Sequence, residues 1–269
     1  MTKGKSVLRI LRSIIIEQSK RAGVGHIGSA LSIIDILWVL YDKVMDVSAS
    51  ECDQQDRFIL SKGHAALAYY AVLHQKGFIT IDELNTYCAD NSRLGVHPEH
   101  LINGVDFSTG SLGQGITFAV GAALAAKIKQ RHSMVFCLLS DAELNEGSFW
   151  ETVLFAAHHK LSNLAFILDN NGQQALGFTR DVLNISDIES VMNTTGFITS
   201  VIDGHDESQI ETCLSEIKED FLAGSRSKPS FVIANTVSGK GVGYMENKIE
   251  WHYKSMDDAH FKQAEDDLK

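Results

Sequence analysis

The stretch 140–177, SDAELNEGSFWETVLFAAHHKLSNLAFILDNNGQQALG, decides how the chain is read. An apolar run, Met134–Leu139, leads into it, and a second, Leu164–Leu168, lies inside it. Between them, Gly147 to Lys160 carries Phe149, Trp150, Val153, Leu154 and Ala157 at helical spacing. The order is strand, helix, strand, and a helical crossover makes the two strands parallel neighbours. Asp141 then leaves the carboxyl end of the first strand, and Asn170 and Asn171 leave the same end of the second. Ligands of open α/β sheets bind at those ends. A carboxylate and a carboxamide 171 − 141 = 30 positions apart thus converge beside a helix N-terminus. Hard oxygen donors next to a helix start suit Mg²⁺ or Ca²⁺ holding a phosphate group.

The rest of the chain extends the α/β pattern. Helical periodicity runs from Lys5 to Arg21 and from Leu31 to Lys43, and a polar, acidic loop follows as far as Gln55. A buried strand is expected at Asp56–Ser61, then a helix from Lys62-Gly-His64 to Gln75 and a short helix at Ile81–Asp90. A long small-residue helix is expected at Ile116–Gln130. Strands at Phe197–Asp203 and Ser230–Val237 flank a helix at Asp206–Ala223. This predicts a mostly parallel central sheet with helices on both faces. With no repeat, low-complexity tract or linker, residues 1–269 read as a single diphosphate-binding domain. The hexad Gly23–Gly28 matches GxGxxG, but a dinucleotide site needs a strand before it, and here a helix is expected.

Composition narrows the classes. A 44% hydrophobic content allows an ordinary buried core, and no apolar run approaches the roughly 18 residues of a membrane span. The basic, apolar start lacks a small-residue cleavage site and meets Glu17 at once, so it reads as a helix rather than a signal peptide. The net charge of −10, without a Lys/Arg cluster, argues against nucleic acid. Cys52, Cys88, Cys137 and Cys213 form no CxxC and suit reduced thiols of a cytoplasmic protein. An acidic protein holding a diphosphate also gains from a divalent cation between the two.

The central stretch resembles the thiamine diphosphate motif of transketolases, Gly-Asp-Gly followed at a distance by Asn, and its LNEG segment at Leu144–Gly147 is similar to that family as well. So are DRFILSKGHAALAYY from Asp56, Gly25-His-Ile-Gly28, His97-Pro-Glu99 and Ser108-Thr-Gly-Ser-Leu-Gly-Gln-Gly115. The resemblance implies a thiamine diphosphate-binding fold in which Asp141, Asn171 and the main-chain carbonyl of Gln173 hold the metal. It implies that Ala142 offers its N–H to the diphosphate, that His64 lies near it, and that Gly110 and Leu112 touch the cofactor rings. It further implies that His97 faces a substrate channel and that His252 adds another active-site imidazole. Four departures stand out. Ser140 and Ala142 replace the motif's glycines, Ser111 a usual proline, and Tyr253 the glycine of a Trp-His-Gly segment; they leave room for a specialised sugar.

Of eleven histidines, His26, His64, His97 and His252 follow strand or loop exits and suit the proton transfers of carbonyl chemistry. His74, His100, His132, His158, His159, His205 and His260 read as surface or satisfied core residues. By position alone Glu146 is a carboxylate favoured by a helix dipole; the resemblance makes it part of an acidic relay between paired cofactor sites. Asp169 reads as a cofactor-side carboxylate orienting Asn171 or a cofactor-linked histidine.

The resemblance covers the first third to half of a full transketolase. The glutamate that activates the aminopyrimidine and most residues gripping a sugar phosphate's tail are missing, so the chain is expected to be inactive alone. It reads as the N-terminal subunit of a split transketolase, completed by a C-terminal subunit in an α2β2 assembly. Together they would move a two-carbon ketol unit from a ketose to an aldose, free or phosphorylated. Two alternatives share these residues. One is a non-catalytic or repurposed homologue; the other is a different thiamine diphosphate enzyme subunit, a 2-oxo acid dehydrogenase α chain or a deoxyxylulose phosphate synthase-like protein. The LNEG, HPE and SLGQG segments favour transketolase.

Overall fold

A computed structural model of the chain describes residues 6–47, 55–185 and 187–269. The expected helix start at Lys5, the residue Cys52 and most of the loop before Gln55 lie outside the described residues. In chain order come α1 (Val7–Ala22), α2 (Ile27–Val39), β1 (Arg57–Leu60), α3 (Ala66–Gln75), the short α4 (Ile81–Leu84) and α5 (Gly115–Ile128). Next are β2 (Val135–Ser140), α6 (Gly147–His158), β3 (Leu164–Asn170), a small hairpin of β4 (Gln173–Gln174) and β5 (Gly177–Phe178), and the turn-length α7 (Thr179–Val182). The chain ends with α8 (Ile188–Thr195), β6 (Ile198–Asp203), α9 (Glu207–Leu222), β7 (Ser230–Asn235) and α10 (Asp258–Asp267).

Five strands pair in the order β1-β2-β3-β7-β6, every pair parallel. The expected α/β architecture is therefore what the chain forms. Such a sheet is covered on both faces, so its strands are apolar throughout instead of alternating with polar residues. β2 shows how. Phe136 and Leu138 join the layer under α1, α2, α3 and α9, while Val135, Cys137 and Leu139 join the layer under α5, α6 and α8. All five side chains are at most 1% exposed. Helix α2 sits deepest, with every residue buried except Trp38. Helix α1 stops at Gly23, whose φ of 66° closes the end with N–H bonds to the carbonyls of Lys20 and Ser19. A helix, not a strand, thus precedes the Gly23–Gly28 hexad, which rules out the dinucleotide reading.

Several element boundaries depart from expectation: α2 begins at Ile27 instead of Leu31, β7 ends at Asn235 instead of Val237, and two others have a local cause. The helix expected at Ile81–Asp90 ends at Leu84. There the Thr86 hydroxyl takes the carbonyl of Glu83 at 2.7 Å, and Cys88 turns into the left-handed region at φ 56° to bond Leu94. A side chain competing for a helical carbonyl favours such a turn. Strand β3 runs past Leu168 because β7 pairs Asp169 with Ala234 and Asn170 with Asn235. Among the described residues, no helix is long and apolar enough to cross a membrane.

Candidate active site

At the carboxyl edge of the sheet, β2 passes into a 3-10 turn, Asp141–Asn145, and β3 into Asn171 and the left-handed Gly172. Register sets Ser140 beside Asp169, so Asp141 and Asn171 emerge side by side. Asp141 is 1% exposed. One carboxylate oxygen accepts the Thr179 hydroxyl at 2.7 Å, and the other has no partner. Burial pushes its pKa up to about 6, against the Thr179 bond. Asn171 donates to Asp169 at 2.9 Å and accepts the Gln173 N–H at 2.9 Å.

Next to this pair lies a cavity of about 470 Å³. Its walls carry buried polar atoms that meet no partner: His26 Nδ1, Asn145 Oδ1, both amide atoms of Gln173, and Gln174 Nε2. Buried polar groups in folded proteins are nearly always bonded, so a concentration of orphans marks a place built for something else to bond. Ser140 and Ala142 are on the wall, and Asp141 lies directly behind it.

Behind the floor, Asp169 is fully buried and ties four elements together. Its carboxylate accepts Ser32 at 2.8 Å from α2, Asn171 at 2.9 Å, the Thr236 hydroxyl beyond β7, and the Lys62 ammonium. Lys62 lines the cavity with its side chain 1% exposed. Sequence reading passed over Lys62, yet a signal existed. It is the one charged residue other than histidine between Arg57 and Lys76, in an otherwise apolar run, and a buried charge requires a partner. Glu143 was also missed. Fully buried, it accepts the Ser61 hydroxyl and, at 2.9 Å each, the N–H groups of Gly113 and Ser140. It fastens the glycine-rich loop before α5 to the ends of β1 and β2, and burial raises its pKa.

The four singled-out histidines all line this cavity. Ring centroids of His26 lie 5.3 Å from His64 and 5.4 Å from His252, and His64 lies 5.7 Å from His252. His64 Nε2 meets the Ser29 hydroxyl at 2.8 Å. Burial, reinforced by the neighbouring imidazoles and Lys62, lowers the pKa of all three, His64 strongly and His252 to about 4. They are therefore neutral imidazoles at neutral pH, able to donate and accept. His97 stands against Gly110, where a Cβ would come within 3.4 Å of its ring. Of the hexad's glycines, Gly25 and Gly28 serve packing, while Gly23 caps α1. A Cβ on Gly25 would sit 2.3 Å from the Tyr253 carbonyl, and one on Gly28 2.7 Å from Ser238 Oγ.

Gly110, Leu112, Ala142, Asn171 and Gln173 line the same cavity, and Glu146 sits exposed on its rim at the start of α6. The structure thus gathers the expected residues at one place, with Asp141 and Asp169 just behind the wall. The histidines set aside as ordinary include His205, bonded through both ring nitrogens, and His74, bonded to the Ile79 carbonyl. Among the described residues, no three His, Cys, Asp or Glu side chains cluster to hold a metal ion by themselves.

The family described as transketolase, thiamine diphosphate binding domain, matches residues 3–268. The chain is 37% identical over 253 residues to an apulose-4-phosphate transketolase subunit of Actinobacillus succinogenes, covering 93% of this chain and 90% of that one. It is 32% identical over 263 residues to the 6-deoxy-6-sulfo-D-fructose transketolase subunit SqwG of a Clostridium species, covering 97% and 94%. Its fold superposes on the crystal structure of Campylobacter jejuni transketolase with a TM-score of 0.89 at 30% identity, over 97% of this chain but 42% of that one. The chain belongs to the transketolase family and carries its thiamine diphosphate-binding domain.

Proposed function

We propose that this chain is the N-terminal subunit of a split, thiamine diphosphate-dependent transketolase, working as one diphosphate-binding unit. With a separate C-terminal subunit, in an α2β2 assembly, it would transfer a two-carbon ketol unit from a ketose to an aldose or their phosphates. One observation carries the reading: three neutral imidazoles and His97 share a cavity, at the carboxyl edge of a parallel sheet, with amide side chains that keep atoms without partners. Coverage supports the division of labour, since the chain spans 90% of a relative named as one transketolase subunit and 42% of a full-length transketolase chain.

The residues fit the cofactor. Asp141 has a buried oxygen with no partner, and Asn171 Oδ1, which accepts one N–H, has a second lone pair. With the Gln173 carbonyl, these would hold Mg²⁺, or Ca²⁺, against the diphosphate. One carboxylate with neutral oxygens suits a hard cation that takes its other ligands from phosphate and water. Ala142 keeps the N–H its position needs, while Gly110 and Leu112 would border the rings. When bound, thiamine diphosphate supplies the carbon nucleophile and electron sink for breaking the bond next to a ketose carbonyl. His26, His64, His97 and His252 would orient sugar hydroxyls and carry protons at their ring nitrogens. Exposed Glu146 would form part of an acidic relay between paired cofactor sites. The reading sets the enzyme in the cytoplasm, in keeping with the free thiols of Cys88, Cys137 and Cys213.

Calorimetric titration of thiamine diphosphate with Mg²⁺ tests it, on this chain alone and on its mixture with the C-terminal subunit. Tight binding is expected only in the mixture, with loss of at least a hundredfold in affinity for Asp141→Ala. Absence of binding in both samples would leave a repurposed, non-catalytic homologue.

A further inference from the structure

Tyr253 is an exposed aromatic residue that the fold nevertheless holds in place. It follows a 3-10 turn, Ile249–His252, anchored by Trp251, which is 1% exposed and packs against Tyr244 and His260 at 4.9 and 5.0 Å. The backbone on either side is clamped. The His252 carbonyl accepts the His26 N–H at 3.1 Å, and the Tyr253 carbonyl lies so close to Gly25 that no Cβ fits there. The residue is 63% exposed, so no core-packing role accounts for it. Yet its ring has a set orientation, edge-on to His26 at 5.1 Å and to His252 at 4.9 Å. It also lines the cavity. Exposure on one side and two cavity imidazoles on the other place the ring at the mouth, over the groups that would meet sugar hydroxyls.

We infer that Tyr253 is a specificity-determining residue, its ring limiting how long a sugar chain can extend past His26 and His252 toward the mouth. This rests on the ketol-transfer reading above. A short aldose ends inside the cavity and never meets the ring. A longer one must pass it, and the clamped backbone lets the ring yield only by rotating its side chain. Because the obstruction is steric, the ring carries the effect and the hydroxyl does not.

The test uses the assembled enzyme, saturated with thiamine diphosphate and Mg²⁺, and compares kcat/KM for three-carbon and five-carbon aldose acceptors. Tyr253→Gly should shift the ratio about tenfold toward the five-carbon acceptor, a size typical of pocket contacts that sort substrates by length. The gain should appear as a lower KM for the longer sugar, with cofactor affinity and the thermal midpoint unchanged. Tyr253→Phe should keep the wild-type ratio. An unchanged ratio in the glycine variant, or a phenylalanine variant that mimics it, overturns the inference while wild-type turnover upholds the function. No ketol transfer by the wild-type assembly to any aldose would sink the function and this inference with it.

Discussion

Two histidine environments in this molecule, one around His205 and one in the cavity, could hardly be less alike. His205 gives its Nδ1 to Asp35 at 2.7 Å and takes the Val237 N–H on Nε2 at 2.9 Å, which fixes the proton on Nδ1. Asp35 is bound in turn by Arg12 at 2.6 Å. In the cavity, His26 leaves a buried Nδ1 without a partner, and three imidazoles crowd one another beside a buried lysine. Residues 236–238 join the two regions: Thr236 bonds Asp169, Val237 bonds His205 and Ser238 lines the cavity. The difference teaches that polar satisfaction, and not burial, separates scaffold from chemistry. His205, with both ring nitrogens bonded, holds the fold, whereas His26, with a buried nitrogen left open in a cavity, is set for a ligand.

The two networks meet at Asp169, so the sharpest break is there. Asp169→Ala strands the Lys62 ammonium with only the Ser29 carbonyl, at 3.4 Å, and frees Ser32, Asn171 and Thr236. Removing one partner of a buried ion pair costs about 3–5 kcal/mol. Urea denaturation of the purified chain should show a loss of that size. The double replacement Lys62→Met with Asp169→Leu should recover most of it, because no charge is then left buried alone. A single variant as stable as wild type would mean that Asp169 belongs wholly to the cavity and that the comparison is misplaced.

The next effect comes from the cavity imidazoles and depends on pH. An unfolded His252 takes a proton near its ordinary 6.5, but the folded one, held down by burial and then by His26 and Lys62, takes it only at about 4. Between those values unfolding takes up a proton. Folding stability is therefore whole above pH 6.5 and falls as the pH drops through 4. His26 and His64 are lowered in the same direction and add to the loss. For His252 the loss is at most roughly 3.5 kcal/mol, from a pKa difference of about 2.5 at about 1.4 kcal/mol per unit. Urea midpoints at pH 7.5 and pH 4.5 should fall further apart in wild type than in His252→Gln. Equal falls would show that the imidazole is not held neutral.

How much of this was legible beforehand depends on what each residue's neighbours in sequence reveal. Asp141, Asn171 and the crossover between them could be read because they sit at the ends of apolar runs whose period and length fix strand and helix. His26 and His64 could be read from glycine-flanked positions at element ends, and His97 and His252 from loop exits in segments similar to the family. Lys62 and Glu143 were passed over because their partners, Asp169 and Ser61, lie 107 and 82 positions away, and nothing local records the pairing. The helix expected at Ile81–Asp90 has Leu84 and Tyr87 at helical spacing, and both are indeed buried, but the turn is decided by the Thr86 hydroxyl. The β4–β5 hairpin has two residues per strand, too few to show a period. Tyr253 was visible as a departure from a motif, while its place over two imidazoles took the fold to show.

The smallest effect tests the satisfied side of the comparison. His205→Ala removes the donor to Asp35 and the acceptor for the Val237 N–H, leaving Asp35 with Arg12. Losing a partner of a part-buried group costs about 1–2 kcal/mol, and Arg12 keeps the carboxylate from being stranded. The urea midpoint should drop accordingly, at any pH from 7 to 8. Thiamine diphosphate affinity of the assembled enzyme and its preference between three-carbon and five-carbon aldoses should stay as in wild type, because Thr236 keeps its own bond to Asp169. His252→Gln should do the reverse, slowing ketol transfer with little change in stability at neutral pH. If His205→Ala instead weakened cofactor binding at unchanged stability, the 236–238 segment would be transmitting the state of one region to the other, and scaffold and site could not be told apart by their hydrogen bonds.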